Sequence, residues 1–277
     1  MIQPLPKRQF QKNSPLSEDD WRDFFQRGFC IIRGLLETKE IETTRAALNQ
    51  VLKEAHQLAT QKPANFKGGI YHRGGKFVIE SNQEKQLEKL HRVCGCGSLD
   101  PTLLATSRHP SLLCAFGDIL MADQFEQLIC QFHAKTPGDN VTFEPHRDIE
   151  FRLNGDPQWQ DVNRHGSYVV AVIAIDACHS GNGGLYVVPG SHNNVKLTDI
   201  SPAKDNFSLQ WGLHATTPSL APGDAILMHP YLVHWSSPNN SNKSRFTLLS
   251  GVSSIGANHK DYPGDCTNAI LTTQRSP

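Results

Sequence analysis

His146 and Asp148 are separated by one residue, and His234 lies far downstream with Arg245 eleven positions beyond it. Two imidazoles and one carboxylate are the ligand set that holds Fe(II) on a single face and leaves its other positions open for chemistry. A His-x-Asp spacing lets both side chains leave the same side of an extended strand, because strand side chains alternate with period two. An arginine at a short, fixed distance past the third ligand suggests a bidentate clamp for an acidic co-substrate. Taken alone, one His-x-Asp in a chain with 13 histidines is a weak signal. Its context strengthens it.

The elements that must carry these residues can be read from periodicity. Gln127 to Ala134 reads as a strand, followed by the turn Pro137-Gly138-Asp139-Asn140 and a second strand bearing Phe143 to Asp148. Pro222-Gly223-Asp224 then opens a buried strand, Ala225 to Met228, which leads to His234 and on to Arg245 at the start of Phe246 to Ser250. Ser167 to Ile175 and Gly184 to Val188 complete a set of short strands punctuated by turn residues, a pattern of sandwiches and barrels. Upstream the period is helical. Ser17 caps a helix with Asp20 at its third position and Trp21, Phe24 and Phe25 at helical spacing, stopped by Gly28 before the apolar run Phe29 to Ile32. A long amphipathic helix is predicted over Thr38 to Thr60 and another over Pro110 to Phe125. The segment Asn65 to Lys76, with two Gly-Gly pairs around aromatic and basic residues, reads either as a surface hairpin or as a flap over a site. The organisation predicted is an N-terminal arm over residues 1–15 and one domain over 16–277. Its β-core lies at about 126–252, buttressed by the N-terminal helices.

Bulk properties exclude several function classes. Lys plus Arg and Asp plus Glu are equal at 27 each, so no global field recruits nucleic acid or an anionic membrane. The seven cysteines are scattered, and Cys94-Gly-Cys96 lacks the spacing of redox or zinc pairs, so reduced thiols in a cytoplasmic protein are expected. No run of about 18 apolar residues predicts a membrane span. The partner expected is a small molecule; composition is silent on oligomeric state.

The run Gly183-Gly184-Leu185-Tyr186-Val187-Val188-Pro189-Gly190-Ser191-His192, together with Asp176, Gly223-Asp224, His234-x-Ser236 and Arg245, resembles the phytanoyl-CoA dioxygenase-like family. That family comprises Fe(II)- and 2-oxoglutarate-dependent oxygenases, and the resemblance spans about Leu16 to Gly251. It implies a mainly β fold with flanking α-helices, whose core is a double-stranded β-helix (a cupin-like jelly roll). It implies His146, Asp148 and His234 as iron ligands, and Arg245 and Ser236 as partners of the distal carboxylate of 2-oxoglutarate. Gln131 is a further candidate for a polar contact to that co-substrate, or an ordinary strand glutamine. The implied cofactors are Fe(II), 2-oxoglutarate and O₂, with ascorbate as reductant in vitro. Related halide-transferring oxygenases carry a small residue where Asp148 stands, so a carboxylate there implies hydroxylation.

Three other histidines compete for roles. His229 precedes His234 by five residues, but the offset to Arg245 and the Ser236-x-x-Asn239 pattern favour His234. His192 is expected to make a structural hydrogen bond, and His179 to lie in an exposed loop. Candidates for polar substrate contacts are Arg147, Glu150, Arg152, Lys67, His72, Arg73 and Lys76, each with the alternative of a solvated surface charge. If they converge, opposite charges suit a zwitterion, and the chain bears a weaker resemblance to the family's free amino-acid (leucine-type) hydroxylases. A tailoring oxygenase for a larger natural product or an acyl-CoA, and a catalytically inactive small-molecule-binding barrel, are the alternatives.

Overall fold

The computed structural model describes residues 13–193 and 211–273; most of the predicted N-terminal arm (residues 1–12) lies outside the described residues. Helix α1 (Glu18–Arg27) starts on a complete capping box, Ser17 with Asp20, and ends where Gly28 adopts φ 90°. Strand β1 (Phe29–Ile32) follows, then α2, which spans Thr38–Thr60 as its periodicity predicts. The glycine-rich segment is the hairpin β2 (Lys67–His72) and β3 (Gly75–Ser81), turned through Arg73 and Gly74 at φ 48° and 81°. Both central residues at positive φ match the turn whose twist suits a two-residue hairpin. Strand β4 (Leu87–Cys94) and helix α3 (Pro101–Ser107) come next. Helix α4 covers Pro110–Leu120, shorter than predicted. Met121 closes it in a left-handed conformation, and Phe125 enters β5 (Gln124–Lys135) instead.

The β-core continues with β6 (Phe143–His146), helix α5 (Asp148–Gly155), β7 (Tyr168–Ala174) and β8 (Leu185–Val187). Strands β9 (Ala225–Met228), β10 (His234–Ser236), β11 (Arg245–Ser254) and β12 (Ile270–Thr272) end the described chain. Two sheets result. The larger runs β1-β9-β7-β11-β5-β4-β3-β2 with β12 also on β5, and the smaller runs β6-β10-β8. The pairs on these paths are antiparallel. This is the mainly β, jelly-roll architecture with flanking helices.

Strand parity explains how one sheet serves two cores. In β7, Val169, Ala171 and Ile173 join a cluster with Leu48 and Val51 of α2 and Leu112 and Phe116 of α4. The alternate residues Val170, Val172 and Ala174 join a second cluster, with Ile226, Met228 and Val187, between the two sheets. A strand covered on both faces reads as a continuous apolar run, and all seven β7 residues are buried. The helices stiffen the large sheet from outside, leaving its inner face to a cavity. Among the described residues no helix is long and apolar enough to cross a membrane.

Candidate active site

Strand β6 ends at His146. Arg147 stays extended (φ −115°, ψ 136°), and Asp148 is already the first residue of α5. Asp148 is thus not on the strand, as its spacing alone suggests, but the extended residue before it preserves the alternation and sends both side chains the same way. His234 opens β10, where it sits opposite His146 on one side and Val187 on the other. The imidazole Nε2 atoms of His146 and His234 each lie 3.7 Å from Asp148 Oδ1, and the ligand atoms of the three are within 4.8 Å of one another.

Each imidazole is aimed by its own backbone. His146 Nδ1 donates to the Glu144 carbonyl at 2.6 Å, and His234 Nδ1 donates to Leu232 at 3.0 Å. A carbonyl can only accept, so both rings carry their hydrogen on Nδ1 and leave Nε2 free toward Asp148, as metal-ligating histidines are held. Burial drives the His234 pKa down to about 4, with the neighbouring His146 charge adding to it. Burial also opposes ionisation of Asp148, but the His234, His146 and Arg152 charges outweigh it and hold the carboxyl at about 2. A deprotonated carboxylate and a neutral imidazole are the forms that bind a metal.

Arg245 opens β11 and is buried, with Nη1 donating to Thr247 at 3.0 Å and Nη2 to the Gly183 carbonyl at 2.8 Å. Its Nε is buried without a partner, and none of its hydrogen bonds among the described residues goes to a carboxylate. A desolvated guanidinium with no counter-ion is costly unless an anion arrives to pair with it. Directly opposite in the β5–β11 register stands Lys135, fully buried, whose ammonium donates to Ser236 Oγ at 2.8 Å and to the Ser237 carbonyl. Burial, reinforced by the Arg245 charge, drops the Lys135 pKa to about 7. Gly183 lets this corner close: at φ 77°, a Cβ there would meet Lys135 Cδ at 2.7 Å and the Ser237 carbonyl at 2.8 Å.

Triad and Arg245 line a single cavity of about 300 Å³, together with Gln131, Ser236 and His133. Gln131 accepts from the Cys94 thiol at 3.3 Å and donates to His133 Nε2 at 2.6 Å. The His133 ring stacks on Phe143 at 4.7 Å, and burial, helped by the Arg92, Arg245 and Lys135 charges, keeps it neutral. His133, on the cavity wall, and Lys135, bonded to Ser236, are polar positions at the site that motif reading missed. Their signal was a polar stripe, Gln131-x-His133-x-Lys135, alternating with buried Cys130, Phe132 and Ala134 on β5.

The remaining candidates separate cleanly. His229 is buried against Phe24 and His192, away from the triad, and is kept neutral by burial. His192 bonds the Phe25 carbonyl at 3.0 Å, and His179 is exposed at the start of a short turn. Lys67 is paired with Glu80, Arg73 and His72 face Glu54, and Arg147 bonds the Tyr231 carbonyl. Of the seven polar substrate candidates only Lys76 and Arg152 line the cavity.

A jelly roll in which two imidazoles of the small sheet and the carboxylate that opens α5 line one cavity with a buried guanidinium is a non-haem iron, 2-oxoglutarate-dependent oxygenase. Residues 24–247 match the family model for phytanoyl-CoA dioxygenase (PhyH), and the chain belongs to that family. A phytanoyl-CoA dioxygenase domain-containing protein 1 from Danio rerio is 22% identical over 273 residues, covering 83% of this chain and 87% of its own. Among solved structures, EctD from S. alaskensis with bound Fe is similar at TM-score 0.71 and 17% identity, over 98% of this chain and 91% of its own. SnoK, a non-heme alpha-ketoglutarate-dependent carbocyclase from nogalamycin biosynthesis, is similar at TM-score 0.65 and 18% identity, over 90% and 88%.

Proposed function

We propose that His146, Asp148 and His234 hold Fe(II), that Arg245 and Ser236 hold the distal carboxylate of 2-oxoglutarate, and that the enzyme hydroxylates an unactivated C–H of a small polar metabolite. The observation that carries this reading is Arg245, a buried guanidinium with an unpartnered Nε on the wall of the triad's own cavity. With O₂ and 2-oxoglutarate, iron in such a site supplies oxidation of an unactivated C–H, with succinate and CO₂ as co-products. The chain's share is placement. The Nδ1 bonds fix both imidazoles, Gln131 sits on the cavity wall where it can meet the co-substrate, and Lys135 orients the Ser236 hydroxyl.

A cavity of about 300 Å³ is at the small end for ligand sites, which favours a compact substrate over a bulky natural product held inside. The free amino-acid version of the reading asks for a carboxylate to hold an ammonium. Glu150 does not line the cavity, and among its described lining residues the one carboxylate is Asp148. Succinate release from 2-oxoglutarate with Fe(II) and ascorbate, screened against small metabolites by mass gain of one oxygen, tests the proposal. Iron- and 2-oxoglutarate-dependent succinate with an oxygenated product is the expected result. No turnover across a broad panel favours the alternative of a binding barrel without chemistry.

A further inference from the structure

Besides Arg245, the cavity is lined by a second set of cations that neither ligate the metal nor hold the co-substrate in the proposed function. Lys76 on β3 stands opposite Cys94 on β4, which stands opposite Gln131 on β5. Arg92, two residues before Cys94, shares its face of β4 by strand alternation. Arg152, from the last turn of α5, lies over the Tyr262 ring at 4.3 Å, with Nε and Nη1 buried and without hydrogen-bond partners among the described residues. All of these residues line the cavity. Burial raises the Cys94 thiol's pKa, while the Arg92, Lys76 and Arg152 charges each offset part of that rise. None of the three forms an ion pair with a carboxylate among the described residues, whereas Lys67, Lys89 and His91 close by share Glu80.

We propose that Lys76, Arg92 and Arg152 form a subsite for an anionic group of the substrate, a carboxylate or another oxyanion, and that this group positions the rest of the molecule toward the His146–Asp148–His234 face. The inference deepens the hydroxylase reading and rests on it for the substrate's fate, but not for its binding. The physical reason is the excess of positive charge on this wall. Three cations that line one cavity without an ion-paired carboxylate repel one another, and an oxyanion relieves that repulsion with charge-assisted hydrogen bonds. A neutral head group could accept from Arg152 Nε and Nη1 but would leave the positive charge unbalanced, and a cationic one would do neither. The second guanidinium suits planar or tetrahedral oxyanions, which accept paired N–H groups.

The test is binding, measured by calorimetry without O₂ on the full chain loaded with Fe(II) and saturating 2-oxoglutarate, so that Arg245 is already engaged. The probes are matched in chain length: hexanoate and hexanamide, pentylphosphonate and its dimethyl ester, and hexylamine. Each acid should bind about tenfold or more tightly than its neutral partner, with hexylamine weakest. Arg92→Gln and Lys76→Gln should each erase most of that preference, Arg92→Lys should restore part of it, and the 2-oxoglutarate affinity of all three should be unchanged. No acid binding better than its neutral partner overturns the subsite, as does an acid preference that survives Arg92→Gln combined with Lys76→Gln. Failure of succinate formation with the acid preference intact would count against the hydroxylase reading alone.

Discussion

Arg245 and Lys135 face one another at the ends of two paired strands, and the proposed function makes both bear on how an acidic co-substrate is met. Truncating Arg245 to Leu should weaken 2-oxoglutarate binding by about 2–5 kcal/mol, since a buried charge pair loses one member; normal saturation in a 2-oxoglutarate titration would remove the clamp role. Lys135 adds a pH dependence. Its folded pKa of about 7 lies below the value of 10.5 for a free lysine. The unfolded chain therefore binds more protons than the folded one between those values, and this group's contribution to stability rises with pH across that window. A bound dicarboxylate nearby favours the charged ammonium, so 2-oxoglutarate binding should take up a proton near neutrality. Its Kd should rise with pH above about 7, by up to about tenfold per unit. Calorimetry in buffers of different ionisation enthalpy checks both statements. Lys135→Met should abolish the proton uptake; uptake that persists would assign it to another group.

Elements rather than single residues decide how well these groups are held. The corner between β8 and β10 closes because Gly183 occupies a left-handed conformation with no room for a Cβ. Gly183→Ala should cost about 1–3 kcal/mol of stability and weaken 2-oxoglutarate binding at the same time, read by urea denaturation and by titration. Stability and binding both unchanged would show that the corner tolerates a shift. Most elements near the triad were legible in sequence. The turn Pro222-Gly223-Asp224 and the apolar run after it located β9, and the Ser17–Asp20 box located α1. Strand β4 was not legible, because Glu88, Lys89, His91 and Arg92 break its apolar alternation. Arg92, part of that break, lines the cavity rather than a packed core. Helix α4 was overextended for the opposite reason: Phe125 continues an apolar stripe but packs edge-on to Phe116 from a strand, at 6.1 Å. The His-x-Asp pair was read correctly as a pair, while the switch from strand to helix at Asp148 left no mark in the residue types.

At the scale of the whole molecule, two apolar clusters share the strands of one large sheet. The helix-facing cluster holds the sheet, and the inner cluster and cavity are shaped by what remains. Phe116→Ala in the outer cluster should destabilise the fold by about 3–5 kcal/mol while leaving Fe(II) binding per folded molecule unchanged; a matched loss of iron affinity would mean that the helices tune the site as well as support it. The most direct test of the central claim is an anaerobic titration of the metal-free chain with Fe(II) and 2-oxoglutarate, followed by the visible charge-transfer absorption of a 2-oxo acid chelated to ferrous iron. The account predicts a band that requires both components, saturates at one iron per chain, and is lost in folded Asp148→Ala and His234→Ala. A folded wild-type chain giving no band, or one whose band survives both substitutions, would contradict it.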